Sequence, residues 1–157
     1  MSLALRRAEL ADREAMGALA MRAKASWGYP PAWLAAWAAG LTFTAEMLEQ
    51  GHYIVLEDET GAIRACGGIA PEAEGWSLEH CWVEPDWQGR GLGHRLVQAL
   101  CQRAQQRGVT QLWIESDPHA EAFYRKLGAR FSHRVARPVL GEARQLPVLC
   151  LPLPLAE

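Results

Sequence analysis

The sequence predicts a single α/β domain with a mixed, mostly antiparallel sheet of six to seven strands flanked by about four helices. Three observations carry this. Apolar residues recur at helical spacing in some segments and run continuously or alternate in others, giving the order β-α-α-β-β-β-α-β-α-β-β. Helices separate only some of the strands, which points to a mixed sheet. The chain has 157 residues, enough for one real core and too few for two.

Each element has a local reason. Residues 3–8 are a short apolar start carrying Arg6 and Arg7 and read as a strand. Asp12 is placed to cap a helix over 12–24, with Met16, Leu19, Ala20 and Ala23 on one face. Ser26-Trp27-Gly28-Tyr29-Pro30-Pro31 breaks it. A second short helix fits 31–39, with Trp33, Leu34 and Trp37 at helical spacing. Thr44 caps a helical piece over 45–50, which Gly51 ends. His52 to Glu57 and Ala62 to Ala70 flank the turn Asp58-Glu59-Thr60-Gly61 and read as a hairpin. Trp76 to Val83 is a third antiparallel strand. Residues 91–107 form the strongest helix, with Leu92, Leu96, Leu100 and Ala104 at i+4 steps and Gly108 as its stop. Val109 to Glu115 is a strand. A helix over 118–127 has Pro118 at its first position and Gly128 at its end. Residues 129–135 and 146–153 close the sheet.

Composition excludes several classes. A hydrophobic fraction of 50% and a charged fraction of 22% describe an ordinary soluble globular chain. No apolar run approaches the ~18 residues of a membrane span. The start Met-Ser-Leu-Ala-Leu-Arg-Arg lacks the order of a signal peptide. Cys66, Cys81, Cys101 and Cys150 form no CxxC pair and read as reduced thiols of a cytoplasmic protein. Histidines and cysteines never fall at ligand spacing, so no metal is expected. The net charge of −2 speaks against a nucleic-acid partner. Residues 1–88 nevertheless carry −7 and residues 89–157 carry +5. Either the two halves face ligands of opposite sign, or these are solvated faces that happen to segregate.

Gln88-Gly89-Arg90-Gly91-Leu92-Gly93 lies between a strand and an amphipathic helix. Three glycines let the backbone turn tightly and aim several N–H groups at one point. The helix N-terminus adds partial positive charge there, and Arg90 and Arg95 add formal charge. That is a phosphate-binding arrangement, although glycine clusters also make plain turns. Gly93 is followed by His94-Arg95 rather than Lys-Ser/Thr, which excludes a P-loop. Leu96 stands where a dinucleotide fingerprint needs a small residue, and Glu84-Pro85-Asp86-Trp87-Gln88 separates the glycines from their strand.

Val83-x-Pro85-x-x-Gln88-x-x-Gly91-x-Gly93 resembles the acyl-CoA pyrophosphate loop of the GNAT acetyltransferases, the Gcn5-related N-acetyltransferase superfamily. Further on, Ser116-Asp117-Pro118-His119-Ala120-Glu121-Ala122-Phe123-Tyr124-Arg125-Lys126-Leu127-Gly128-Ala129 resembles the family's second signature. Arg6-x-Ala8-x-x-x-Asp12, Trp27-Gly28-Tyr29 and Arg144 to Leu149 resemble a subgroup of small bacterial members, so the likeness covers nearly all of residues 1–157. One departure matters: Asp117 stands where the family usually has Asn.

The resemblance implies acyl transfer from acetyl-CoA to an amine acceptor, with no metal and no membrane. It implies that Cys81, Trp82 and Val83 pair with the pantetheine arm and polarise the thioester carbonyl. The N–H groups of Gly89, Arg90, Gly91, Leu92, Gly93 and His94 then hold the pyrophosphate, next to Gln88. Tyr124 matches the family tyrosine that protonates the departing thiolate, and a phenol of pKa about 10 can supply that proton. On residues alone, Tyr124 could equally pack in a core. Asp117 is a good cap ahead of Pro118, and the family's Asn there contacts the pantetheine arm; one carboxylate could serve both roles. Glu79, four residues before Val83, occupies a position used for the base in several members, yet a solvent-facing strand glutamate reads the same way. Ser77 is the next residue on its face, and His80 is a weaker base candidate. Trp27, Tyr29, Trp33 and Trp37 fall where the family builds its acceptor site, or they simply pack between helices. Trp76, Trp82, Trp87 and Trp113 leave room for a homodimer interface. The expectation is therefore an acetyl-CoA-dependent N-acetyltransferase, against two alternatives: a non-catalytic acyl-CoA-binding module, or an enzyme using a longer acyl group.

Overall fold

The computed structural model describes residues 2–50 and 52–156, which leaves the expected helix stop at Gly51 outside the described residues. Seven strands form one mixed sheet: β1 (Ala4–Arg7), β2 (Tyr53–Glu57), β3 (Ile63–Glu72), β4 (Gly75–Val83), β5 (Gln111–Glu115), β6 (Arg130–Ala136) and β7 (Gln145–Pro152). Their order across the sheet is β1-β2-β3-β4-β5-β7-β6. The α-helices are α1 (Arg13–Ala25), α2 (Pro31–Trp37), α3 (Ala45–Glu49), α4 (Leu92–Gln106) and α5 (Glu121–Lys126). By its contacts the chain divides into two units, Met1–Gly68 with His80–Val97 and Ile69–Glu79 with Gln98–Glu157. Among the described residues no helix is long and apolar enough to cross a membrane.

In the first unit, β1 and β3 both pair antiparallel with β2, in the registers Leu5↔Leu56 and Val55↔Cys66. The face holding Tyr53, Val55, Ile63 and Cys66 packs on Met16, Leu19 and Ala20 of α1 and Leu48 of α3. These are the apolar positions whose spacing predicts the first helix. Thr44 caps α3 as its sequence suggests: its Oγ1 accepts the backbone N–H of Met47 at 3.2 Å. Tyr53 lies opposite Gly68, and a Cβ there would stand 2.4 Å from the Tyr53 ring, so only glycine lets the ring cover the strand.

Two local expectations fail: a side-chain cap from Asp12 and a helix start at Pro118. Asp12 does not cap α1 with its side chain. Its carboxylate accepts two hydrogen bonds from Arg6, at 2.8 and 3.0 Å, and one from the Glu9 backbone at 2.7 Å. A 3₁₀ turn over Leu10–Asp12 therefore leads into the helix. The helix expected over 118–127 begins only at Glu121. Asp117 Oδ1 accepts the His119 backbone N–H at 2.9 Å, closing an Asx turn over the residues that would have been the first helical turn.

In the second unit, β4 pairs parallel with β5 over Trp76↔Leu112 and Ser77↔Trp113. Strand β7 lies antiparallel between β5 and β6. Leu112, Ile114, Leu149 and Leu151 share one face and are at most 2% exposed. Burying each contributes roughly 1.5–3 kcal/mol. The opposite face carries Trp113, Glu115 and Val148, none of them fully buried.

Candidate active site

The first unit holds the glycine turn. Strand β4 ends at Val83, and the Glu84 backbone N–H donates to the Arg64 carbonyl at 2.8 Å. The Glu84 carboxylate pairs with Arg22 of α1 at 2.8 Å, tying the start of the turn to the helix. A 3₁₀ turn over Pro85–Trp87 follows, and Gln88 Nε2 reaches back to the Val83 carbonyl at 3.4 Å. Gly89 and Gly91 then take φ of +80° and +81°. A Cβ at either would meet nothing within 4 Å, so what these positions need is the left-handed backbone, not the space. The Gly91 carbonyl accepts the Arg95 N–H at 3.1 Å, so Gly91 opens α4 and the free amides of the first helical turn lie beside the glycines.

The side chains of this turn point elsewhere. Leu92 is buried and His94 is exposed. The Arg90 guanidinium stacks on Trp87 at 4.7 Å, with Arg64 also over that ring at 5.0 Å. Arg95 donates to the Leu3 carbonyl at 3.0 Å. The formal charge expected of Arg90 and Arg95 is thus engaged within the protein, and backbone donors carry the anion-binding character of the turn.

Cys81, Trp82 and Val83 form the half-buried end of β4. Just before them His80 adopts φ +54°, rare for a non-glycine residue. Its ring lies 4.8 Å from Phe43 and 6.4 Å from Tyr53, and burial lowers its pKa below the ordinary value. Burial favours the neutral imidazole, which is packed among aromatics. Lys24 Nζ sits 4.2 Å over Trp37, 5.5 Å over Tyr29 and 6.0 Å over both Trp27 and Trp82. Trp33 stacks on Tyr29 at 5.9 Å and meets Trp37 edge-on at 5.8 Å. The aromatic segment is therefore organised around a lysine that the spacing did not single out.

The second unit holds the remaining candidates. Tyr124 is 8% exposed on α5, with its ring edge-on to Phe123 at 5.2 Å. Asp117 accepts from Arg144 Nη2 at 3.2 Å through Oδ2, and its Oδ1 lies 2.9 Å from both the His119 backbone N and Nδ1. Arg144 explains why this position carries a full charge where the resemblance leads one to expect Asn. On β4, Ser77 Oγ lies 2.8 Å from Glu72 Oε1 and 3.2 Å from Glu79 Oε1, so Ser77 and Glu79 share a face as strand alternation predicts. A cavity of about 310 Å³ opens beside them, lined by Glu72, Glu74, Ser77, Trp113, Glu115, His133 and Val148. Glu115 in this lining pairs with Arg137 at 2.7 Å. Sequence reasoning missed this cavity, although the i, i+2 spacing of Trp113 and Glu115 on a strand would have put them on one face. Among the described residues no group of three or more His, Cys, Asp or Glu could hold a metal ion.

Comparison with known proteins settles the lineage. The profile of the Acetyltransferase (GNAT) family matches residues 14–129. This chain belongs to the GNAT acetyltransferase family. Among curated relatives, the [ribosomal protein bS18]-alanine N-acetyltransferase of Salmonella typhimurium is 45% identical over 78 residues, 48% of this chain and 51% of that one. The chain spans about half or less of the length of the curated relatives it matches. Among solved structures, a GCN5-related N-acetyltransferase from Rhodopseudomonas palustris aligns with a TM-score of 0.78 at 20% identity, over 98% of this chain and 97% of that one. PaiA N-acetyltransferase from Thermoplasma acidophilum, in complex with coenzyme A, aligns with a TM-score of 0.73 at 12% identity, over 97% and 99%. These likenesses establish the GNAT fold for the seven-stranded sheet.

Proposed function

We propose that residues 1–157 act as one acetyl-CoA-dependent N-acetyltransferase domain, moving an acetyl group to a primary amine by direct attack on the thioester. The observation that carries this is the turn after β4: two left-handed glycines one residue apart, opening onto the N-terminus of the 15-residue α4. Such a turn concentrates backbone donors where a pyrophosphate fits, and the crowding of Arg90 against Trp87 leaves its mouth to the amides. Gln88 to His94 hold the diphosphate of acetyl-CoA, and backbone N–H groups of Cys81 to Val83 polarise the thioester carbonyl.

The amine must lose a proton before it attacks. A lysine-like ammonium of pKa about 10.4 is only ~0.04% neutral at pH 7. Glu79 takes that proton as general base. Tyr124 gives its phenolic proton to the thiolate as the C–S bond breaks. The carboxylates of the neighbouring cavity favour a cationic acceptor over an anionic one.

Calorimetric titration with acetyl-CoA and free CoA tests the loop. A panel of alkylamines, amino-acid amides, free-N-terminus peptides and amino sugars then tests turnover. Micromolar cofactor binding and a Tyr124→Phe variant with kcat reduced about 100-fold at unchanged acetyl-CoA KM are expected. Absence of binding at millimolar ligand would overturn the loop assignment. Binding without turnover on any amine would leave a non-catalytic acyl-CoA-binding module.

A further inference from the structure

We propose that Ser77 and Glu72 form a proton relay that empties Glu79 after each turnover. The inference rests on the reading of Glu79 as general base. Ser77 has one hydroxyl hydrogen, yet its oxygen lies within bonding distance of two carboxylates, Glu72 at 2.8 Å and Glu79 at 3.2 Å. With both acids ionised, one contact sets lone pair against lone pair. With one proton on Glu79 both contacts become hydrogen bonds: Glu79 donates to Ser77 Oγ and Ser77 donates to Glu72. The three groups are arranged for the state a base reaches once it has taken a proton.

A base must lose its proton before the next cycle. Glu79 is half-buried and a bound acceptor covers it further, whereas Glu72 is exposed at the rim of the open cavity. The transfer balances. The acceptor ammonium gives one proton to Glu79. The Glu79 O–H bond then breaks as a new O–H bond forms on Ser77, and the original Ser77 hydrogen moves to Glu72 in the same event. Serine never carries a net charge, its hydroxyl is regenerated, and Glu72 releases the proton to water. The other titratable or charged groups on the cavity are Glu74, Glu115 with its partner Arg137, and His133. Ser77 and Glu72 are thus positioning and relay residues, acting through Glu79.

The experiment compares Ser77→Ala, Ser77→Thr, Glu72→Gln and Glu79→Gln with the wild-type protein, using acetyl-CoA and the fastest amine of the panel. Ser77→Ala and Glu72→Gln are expected to lower kcat about tenfold with acetyl-CoA affinity unchanged, and Ser77→Thr to restore it. Imidazole buffer should rescue both slow variants, because a diffusing carrier replaces the relay. The solvent-isotope proton inventory should be curved in the wild type and linear in Ser77→Ala. A structural role for Ser77 would move neither of these last two readouts. Glu72→Gln changes an exposed residue and carries the same test if Ser77→Ala does not fold. Wild-type kcat in Ser77→Ala and Glu72→Gln alongside a slow Glu79→Gln overturns the relay and leaves the base. Wild-type kcat in Glu79→Gln overturns the base and the relay with it.

Discussion

Replacing Asp117 by Asn restores the residue typical of the family, and on the geometry it should harm this protein. The Asp117 side chain is 6% exposed and that of Arg144 is 11% exposed, with 3.2 Å between Nη2 and Oδ2. Asn keeps one oxygen for the His119 N–H but removes the charge facing Arg144. A hydrogen bond to a charged group contributes about 1.5–3 kcal/mol. The remaining polar contacts and slight exposure place the expected cost near 2–3 kcal/mol. For a chain of this size that lowers Tm by roughly 4–12 °C, at about 2–4 °C per kcal/mol. Urea unfolding followed by tryptophan fluorescence measures the cost, and an unchanged slope with denaturant would place it in the folded state. Arg144→Met alone should also destabilise. The double variant should recover at least about 1 kcal/mol of the summed losses, because both single variants remove the same ion pair. Loss below about 0.5 kcal/mol in Asp117→Asn, or simple additivity in the double variant, would refute the pairing argument.

Other substitutions probe the rest of the site and its support. Gly91→Val forces a β-branched residue to φ +81°, at a cost of about 1–2 kcal/mol, so CoA affinity should fall about tenfold by calorimetry while Gly91→Asn stays near wild type. Trp37→Ala removes the ring nearest Lys24 Nζ, at 4.2 Å, and two edge-on ring contacts; unfolding titrations should show a loss of about 2–3 kcal/mol. Hydrogen bonds from Arg6 hold the Asp12 carboxyl below its ordinary 3.8, so its contribution is present above that pH and fades as pH falls through the lower folded value. The stability gap between wild type and Arg6→Met should therefore be constant above about pH 5 and shrink below about pH 4. Burial pushes the Cys101 thiol up to about 12 and Cys66 higher still, so native alkylation read by mass spectrometry should leave both unlabelled.

What could be read from the sequence was local and periodic. Leu92, Leu96, Leu100 and Ala104 at i+4 steps define α4, and Met16, Leu19, Ala20 and Ala23 define α1, because burial of one helical face leaves a 3.6-residue imprint. The left-handed turn was legible because glycine is the residue that takes φ near +80° without strain. Polar side chains with a choice of partner were not. Asp12 and Asp117 both look like helix caps in the chain, yet Arg6, six residues away, takes the Asp12 carboxylate, and Arg144, 27 residues away, takes one oxygen of Asp117 while the other closes an Asx turn ahead of α5. Such competition depends on tertiary distance, which no window of sequence contains. The contact between Ser77 and Glu72 escaped for a related reason: it joins β3 to β4 across a short turn, where register and not spacing decides who meets.

The charge asymmetry between the two halves of the sequence is open to ligands of opposite sign or to solvated faces, and at least half of the basic residues of the second half have partners within the protein. Arg137 is paired with Glu115, Arg144 with Asp117 and Arg125 with Glu121. Arg90 lies on an indole, and Arg95 donates to a carbonyl. These five of the second half's basic residues are spent on internal contacts, four at turns and strand ends and one within α5. An anion meeting the glycine turn faces oriented amides, whose donors cost no reorganisation when it binds and do not move with side-chain rotamers. Neutralising Arg90 or Arg95 should therefore weaken CoA binding less than bending the backbone at Gly91 does. Arg90→Met and Arg95→Met beside Gly91→Val, titrated at two ionic strengths, make that comparison direct. If the arginine variants lose more affinity than Gly91→Val, and the loss grows at low salt, side-chain charge and not backbone geometry binds the phosphates.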